Sequence, residues 1–328
     1  MKIVFDLRNT GLGNGGGSST LVKSSNILYS LGHNIIVIDS GRNQHTWTKL
    51  NVEHRIIKSI NDVPNSDIVI STGYKTVLQT VKLPERCGKK LIWMRGWELW
   101  QMSEENIIKK VLKSPLIKVV NSFCLIDKLK KYGVDSYLIR PGNNLNDFNN
   151  LNIRNKNKIV LGGLFNIKHK TKRSDLIIKI AQKLKLKYSN IELHMFGNHK
   201  NQNTSMIDKY ISQPSIKEKN KFYNHIDIWL STSILEGLHI TPQEAMLCGC
   251  VVIGNNSELS GTKDYLIDNK TGLLCSNTKD DFIENIEKLI IDKNLREKLG
   301  KNGRNKIIEL GDRKYNMEKF VKLMEKIK

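Results

Sequence analysis

Short apolar runs alternate with longer amphipathic stretches from the first residue onward. "KIVF" (2–5), "NIIVID" (34–39), "DIVIS" (67–71), "KLIWM" (90–94), "IKVV" (117–120) and "SYLI" (136–139) are almost continuously apolar. Strands buried on both faces of a parallel sheet have that form, whereas half-exposed strands alternate. Between the first two runs, "STLVKSSNILYSLG" sets Leu21, Val22, Ser25, Leu28 and Leu31 on one helical stripe, and Gly32 stops it. The chain then turns polar and Asn-rich over 140–158, with Pro141-Gly142 as a turn signal. Alternation restarts with "KIVLGG" (158–163), a helix near 175–187, "IELHMFG" (191–197), "DIWLS" (227–231) and "VVIG" (251–254). Amphipathic segments at 279–291, 293–309 and 313–327 close the chain. The pattern predicts two consecutive α/β units, 1–150 and 151–312. In such sheets ligands sit beyond the carboxyl ends of the strands, and with two domains that means the cleft between them.

Composition narrows this picture. A chain of 328 residues is large enough for two cores, and 39% hydrophobic with 26% charged residues reads as globular. The longest apolar runs, such as "IVLGGLF", are far short of a membrane span, and "MKIVFDL" enters a strand-like run where a secretory pattern would stand. The expected location is the cytoplasm. Five scattered cysteines, with Cys248-Gly249-Cys250 lacking the companion pair of a zinc site, read as buried free thiols. The net charge is +21, made of +9 in residues 1–150 and +12 in the remainder. Residues 154–187 hold eleven basic side chains and one acid. Such a field favours nucleotide phosphates, anionic lipid surfaces or nucleic acid, the alternative being solvated lysine faces.

Three stretches carry candidate chemistry. "GLGNGGGSS" (11–19) follows the first strand and precedes the first helix, so Gly15, Gly16 and Gly17 let backbone N–H groups approach a phosphate or sugar. Gly11 to Gly16 also matches a dinucleotide fingerprint, with Asp39 as its acidic partner, which keeps an NAD(P)-dependent oxidoreductase in view. Lys168, Lys170, Lys172 and Arg173 crowd the loop entering the second unit's first helix, where cations would suit a diphosphate leaving group. Lys179, Lys183 and Lys187, spaced along that helix, read as a solvated face. In "STSILEGLHITPQEAMLCGC" (231–250), Thr241-Pro242-Gln243-Glu244 has the form of a capping box, with proline at the first helical position. That explains Glu244 structurally. Glu236, beyond a buried strand and before a glycine, is either a surface carboxylate or one poised over a ligand; spacing alone leaves both open.

These residues resemble the signature of the retaining nucleotide-sugar glycosyltransferases of the glycosyltransferase family 4 type. The family pattern is Glu-x7-Glu within E-G-F-G-x-x-x-x-E-A-M-A-x-G-x-P-V, and this chain has "EGLHITPQEAMLCGCVV" with Glu236 and Glu244 in register. "TGLLC" (271–275) is similar to T-G-L-L-V, "KRSDLIIKI" (172–180) to K-G-x-D-x-L-I, and "LIRPGNNLNDF" (138–148) to I-P-N-G-V-D-x-x-x-F. "LGHNIIVID" (31–39) resembles the family's R-G-H-x-V-x-V strand. The resemblance implies a GT-B fold of two Rossmann-like α/β/α domains facing each other across a cleft, with the helix at 313–328 packed back on the first. It implies that Glu244 holds the donor ribose, Glu236 the transferred sugar, and Lys172 the departing diphosphate. Gly237, Leu238, His239, Ile240 and Thr241 would contact sugar and phosphate through the backbone, Lys168, Arg173 and Gly197 would join the donor site, and Arg95 would act from the first domain. No metal or other cofactor is implied beyond the nucleotide-sugar itself. The acceptor would be a glycan or lipid-linked glycan, with peripheral contact at the inner membrane face; transfer onto nucleic acid is the alternative acceptor reading. The chain departs from the pattern at His239, where glycine is common, at Leu164, where an arginine is usual, at Asp264, where a glutamate is, and at Arg95-Gly96, where a histidine often follows the strand.

Overall fold

The ten apolar runs become strands because parallel pairing buries both of their faces, and each ends where turn-formers or polar residues begin. The computed structural model describes residues 1–41, 44–166, 168–198 and 205–328. Two compact units are present: Met1–Gly142 with Arg313–Lys328, and Asn143–Asp312.

The first unit has strands β1 (Lys2–Asp6), β2 (Asn34–Asp39), β3 (Glu53–Ile56), β4 (Ile68–Ser71), β5 (Lys89–Met94), β6 (Ile117–Val120) and β7 (Tyr137–Leu138). Helices α1 (Gly16–Ser30), α2 (Tyr74–Thr80), α3 (Glu104–Asn106, continuing as a π-helical stretch Ile107–Leu112) and α4 (Phe123–Lys130) lie between them. The sheet runs β3-β2-β1-β4-β5-β6-β7, and every neighbouring pair is parallel. Strand order reverses between β1 and β4, the place where loops part at the carboxyl edge and leave room for a ligand.

The second unit repeats the plan with β8 (Ile159–Phe165), α5 (Ser174–Lys185), β9 (Ile191–Gly197), β10 (Lys209–Ser212), α6 (Ile216–Tyr223) and β11 (Ile228–Ser231). It continues with α7 (Ile240–Leu247), β12 (Val251–Asn255), β13 (Leu273–Cys275), α8 (Lys279–Ile291) and α9 (Lys293–Glu309). Its parallel sheet runs β10-β9-β8-β11-β12-β13, with the reversal between β8 and β11. Both units are therefore parallel-sheet α/β domains, as the alternation predicts.

The boundary falls at Gly142, not at 150, because Phe148 is buried in the second unit's core beside Tyr223 and Leu145 packs against the same cluster. The last helix, α10 (Arg313–Ile327), belongs to the first unit. Its Met317, Phe320 and Met324 are fully buried against the sheet, and the Phe320 ring lies 5.2 Å from that of Trp93. Burying three such side chains stabilises the contact by roughly 5–8 kcal/mol. All five cysteines are free and buried. No helix among the described residues is long and apolar enough to cross a membrane.

Candidate active site

The candidate site of the second unit is assembled from the loops that follow β8 and β11. Thr232, just past β11, places its hydroxyl between the carbonyls of Lys172 (3.0 Å) and Arg173 (3.2 Å), and the Ile234 amide donates to Thr171 O at 3.0 Å. The two loops are thus fastened together, and Lys172 Nζ reaches Glu236 Oε1 at 2.5 Å. From the other side, the Glu236 amide donates to Leu259 O (2.7 Å) and the His239 amide to Gly261 O (3.1 Å). Gly261 has φ +72, and a Cβ there would stand 2.7 Å from Glu236 Cβ and 2.9 Å from His239 N. Only glycine allows that backbone to back so closely onto the loop.

Burial alone would raise the Glu236 carboxyl, but the His239 imidazole and the Lys172 ammonium facing it hold it below the ordinary carboxylate range. His239 is displaced the other way. Burial, with Lys172 adding and Glu236 opposing, lowers the imidazole to about 4, so the ring is neutral at neutral pH. Its Nδ1 lies 2.9 Å from Ser231 Oγ, and its Nε2 lies 3.3 Å from Glu236 Oε1 without an aligned hydrogen bond. A lone pair on Nε2 would face the carboxylate, so these contacts assign the proton to Nε2, with the Ser231 hydroxyl donating to Nδ1. Thr241 Oγ1, two residues on, is also buried without a partner. Buried polar atoms are ordinarily hydrogen-bonded. A ligand offering hydroxyl or phosphate oxygens would satisfy both.

The expected capping box is absent. Helix α7 begins at Ile240 with His239 as its cap and no side-chain cap bond, so Pro242 sits third in the helix, where its missing N–H is still no loss. Glu244 does not reach back. It is buried one turn further along, and its two oxygens take Lys219 Nζ at 2.9 Å each, with the Tyr223 hydroxyl on Oε2 at 2.9 Å. Lys219 and Tyr223 share one face of α6 at i, i+4 spacing, and that spacing in "KNKFY" was the only signal that could have found them.

Other predicted residues divide by what holds them. Lys168 and Lys170 are exposed on the loop before α5. Arg173 is in the left-handed region at φ +52, where the family pattern has glycine, and its guanidinium is bound to Asn277, with O at 2.9 Å and also Oδ1. Gly197 has a packing reason, since a Cβ there would stand 2.2 Å from Phe165 O. The Leu238 side chain lies in the apolar core and Ile240 packs against it, so these two could serve a ligand only through their backbone. Leu164 is partly buried and packs against the same core. Among the described residues no group of three or more His, Cys, Asp or Glu side chains is placed to hold a metal ion.

In the first unit, α1 starts inside the glycine run with Gly15 as its cap. A Cβ at Gly15 or Gly16 would meet nothing, so the backbone there faces open space. Arg95, just past β5, donates to Gly17 O and to Thr72 O (2.9 Å), which ties the glycine loop to the loop after β4. Its Nε is buried without a partner. Glu98, which the sequence reading passed over, accepts the Tyr74 amide at 3.0 Å at the start of α2, and burial raises its carboxyl to about 7. Asp39 is fully buried and its carboxylate takes Gly41 N and His54 Nε2 (2.9 Å), so it is not free to hold a ribose in the dinucleotide manner.

Residues 146–306 match the sequence model of the family described as glycosyl transferases group 1. Over 110 residues, a third of this chain and 26% of the other, the sequence is 34% identical to the capsular polysaccharide biosynthesis glycosyltransferase CapM of Staphylococcus aureus. Over 162 residues, 47% of this chain and 33% of the other, it is 27% identical to the poly(ribitol-phosphate) alpha-N-acetylglucosaminyltransferase of Staphylococcus aureus strain COL. The chain thus spans between a quarter and a third of the length of these curated relatives. In structure it is similar to Anabaena HepE in complex with UDP-glucose, with a TM-score of 0.80 over 99% of this chain and 100% of that one, at 12% identity. Two parallel-sheet units and this structural likeness define the fold as GT-B.

Proposed function

We propose that the protein is a retaining glycosyltransferase that moves a hexose from a nucleotide-sugar donor to a cell-surface glycan or glycolipid. The observation that carries the reading is the meeting of Lys172, Glu236 and His239 at the carboxyl end of β11 and the start of α7. By their names, one S. aureus relative is a glycosyltransferase of capsular polysaccharide biosynthesis and the other a poly(ribitol-phosphate) alpha-N-acetylglucosaminyltransferase, and HepE holds UDP-glucose. Both support a donor and acceptor of this kind.

In the proposed reaction the acceptor hydroxyl oxygen bonds to the anomeric carbon from the face the leaving group departs. The bond from that carbon to the diphosphate breaks, and a diphosphate oxygen takes the hydroxyl proton, giving the glycoside and a nucleoside diphosphate. Lys172, with Lys168 and Lys170 near it in the chain, neutralises the charge gathering on the diphosphate, and the reaction is read as needing no metal. Glu236 accepts hydroxyls of the transferred sugar. Glu244 has lone pairs left after Lys219 and Tyr223 and can accept a ribose hydroxyl. Arg95 acts as a positioning residue that holds Gly15 to Gly17 in place for a ligand.

A thermal-shift screen across UDP-, GDP-, ADP- and dTDP-sugars tests the reading. The true donor raises Tm, because a ligand at a hundredfold excess over its Kd adds about 2.7 kcal/mol. Glu236→Gln and Lys172→Ala should fold and lose about a hundredfold or more in transfer. Full activity in both, or no shift with any sugar nucleotide, rejects it.

A further inference from the structure

The carboxyl ends of β1, β2 and β3, flanked by the end of α2, form a cavity of about 290 Å³ that opens to solvent in the first unit. Arg8, Lys58 and Lys82 line it, and no carboxylate does. Arg8 is largely neutralised, since Nε and one terminal nitrogen bind Asp6 at 2.9 and 2.7 Å. Both lysines are exposed, and their ammonium groups have no hydrogen-bond or ion-pair partner among the described residues. Two further lining residues, Ser40 and Gln79, each carry a polar atom, Oγ and Oε1, that is buried just behind the lining without a partner.

We propose that this cavity binds a phosphate group, either free or carried on a polyol-phosphate chain. Two ammonium groups that share a cavity without a counter-charge repel each other, and an oxyanion between them reverses the sign of that interaction. Its oxygens would also accept the Ser40 hydroxyl proton. Gln79 Nε2, the amide atom that is not buried, donates as well. A polyol flanking the phosphate could instead donate a hydroxyl to Gln79 Oε1. A neutral sugar would satisfy Ser40 and Gln79 but leave both lysines uncompensated. The cavity is at the small end of ligand pockets, the size of a phosphate with a short flank and not of a whole nucleotide.

All the residues lining the cavity belong to the first unit and none of them is assigned to the donor site, so its test does not depend on sugar transfer. Calorimetric titration with inorganic phosphate and with glycerophosphoglycerol, a phosphodiester, is to be run on the full chain and on two double variants. One is Lys58→Ala with Lys82→Ala. The other, Lys322→Ala with Lys326→Ala, removes the same charge from the exposed side of α10. The wild type should bind at least one probe, the cavity variant should bind it at least tenfold more weakly, and the α10 variant should differ by less than twofold. Binding of phosphate alone assigns a free ion or monoester; binding of the diester alone assigns a polyol-phosphate chain. Sugar-nucleotide thermal shifts should be unchanged in both variants, which separates a failure here from a failure of the transfer reading. The proposal is overturned if neither probe binds the wild type, if the cavity variant keeps wild-type affinity, or if both variants weaken alike.

Discussion

His239 makes the second unit acid-sensitive, by an amount its surroundings define. Unfolded, the ring takes its proton near 6.5; folded, burial delays this to about 4. Between those values the unfolded chain binds more protons than the folded one, so stability is complete above 6.5 and is lost as the pH falls. At 1.36 kcal/mol per unit, the loss from this one group is about 2 kcal/mol by pH 5 and about 3 kcal/mol by pH 4. The perturbation is His239→Asn, whose carbonyl oxygen can still accept the Ser231 hydroxyl but which does not titrate. The smaller side chain costs stability at every pH, so absolute values are not compared. Urea unfolding at pH 7.5 and 5.0 measures the difference between the two pH values for each protein. Other histidines lowered by burial, His33, His194 and His225, contribute equally to both and cancel. Wild type should lose about 2 kcal/mol more than the variant over that interval. Equal losses would refute the assignment of a neutral buried imidazole.

Two further perturbations have signs that the geometry decides. Glu98 behaves oppositely to His239: its folded value of about 7 lies above the usual one, so its contribution is lost as the pH rises from 4.5 through 7. Glu98→Gln keeps an acceptor for the Tyr74 amide and should stabilise the protein by up to about 3 kcal/mol at pH 7.5, with little gain at pH 4.5, as read by urea midpoints. Gly261→Ala puts a methyl group 2.9 Å from His239 N at φ +72, and should cost about 2–4 kcal/mol in stability while weakening donor binding; an unchanged Tm would contradict the close packing described.

How far the sequence was legible depended on whether burial wrote a pattern into it. β2 and the long helices α8 and α9 fall on their expected residues because one period or one apolar run spans each of them. β3, "EHRI", was missed because all four residues are exposed on a sheet edge and carry no apolar signature. β10, "KYIS", on the edge of the other sheet, was missed because its two half-buried apolar residues, Tyr210 and Ile211, make too short a run to stand out. At the site, the register of Glu236 and Glu244 was readable, but their partners were not. Lys172 lies 64 positions from Glu236 and Lys219 lies 25 from Glu244, and only the folded loops and α6 bring them together. The capping box misled for a related reason. Its local pairing was chemically sound, yet a half-buried lysine and a buried tyrosine offered Glu244 three charge-assisted or buried bonds against one at the cap.

The ion pair at the centre of the site imposes an exchange on the proposed reaction. At 2.5 Å from Glu236 the charge of Lys172 is offset by that carboxylate, so neutralising a departing diphosphate in full requires it to turn away. When it turns to the phosphate, Glu236 is left ionised and largely buried, a costly state unless another donor covers it. The His239 Nε2–H is the nearest unused one, and being neutral it supplies a hydrogen bond without a second cation competing for the phosphate. Glycine at this position would offer no such donor. The exchange has a signature: with Lys172 withdrawn and Glu236 uncovered, the imidazole loses what lowers it electrostatically and keeps what raises it. Its titration midpoint, followed by NMR on imidazole-labelled protein, should rise above about 4 when a nucleoside diphosphate is bound. A midpoint that stays or falls would mean that Lys172 remains on Glu236, and that the diphosphate is neutralised by the exposed lysines of the preceding loop instead.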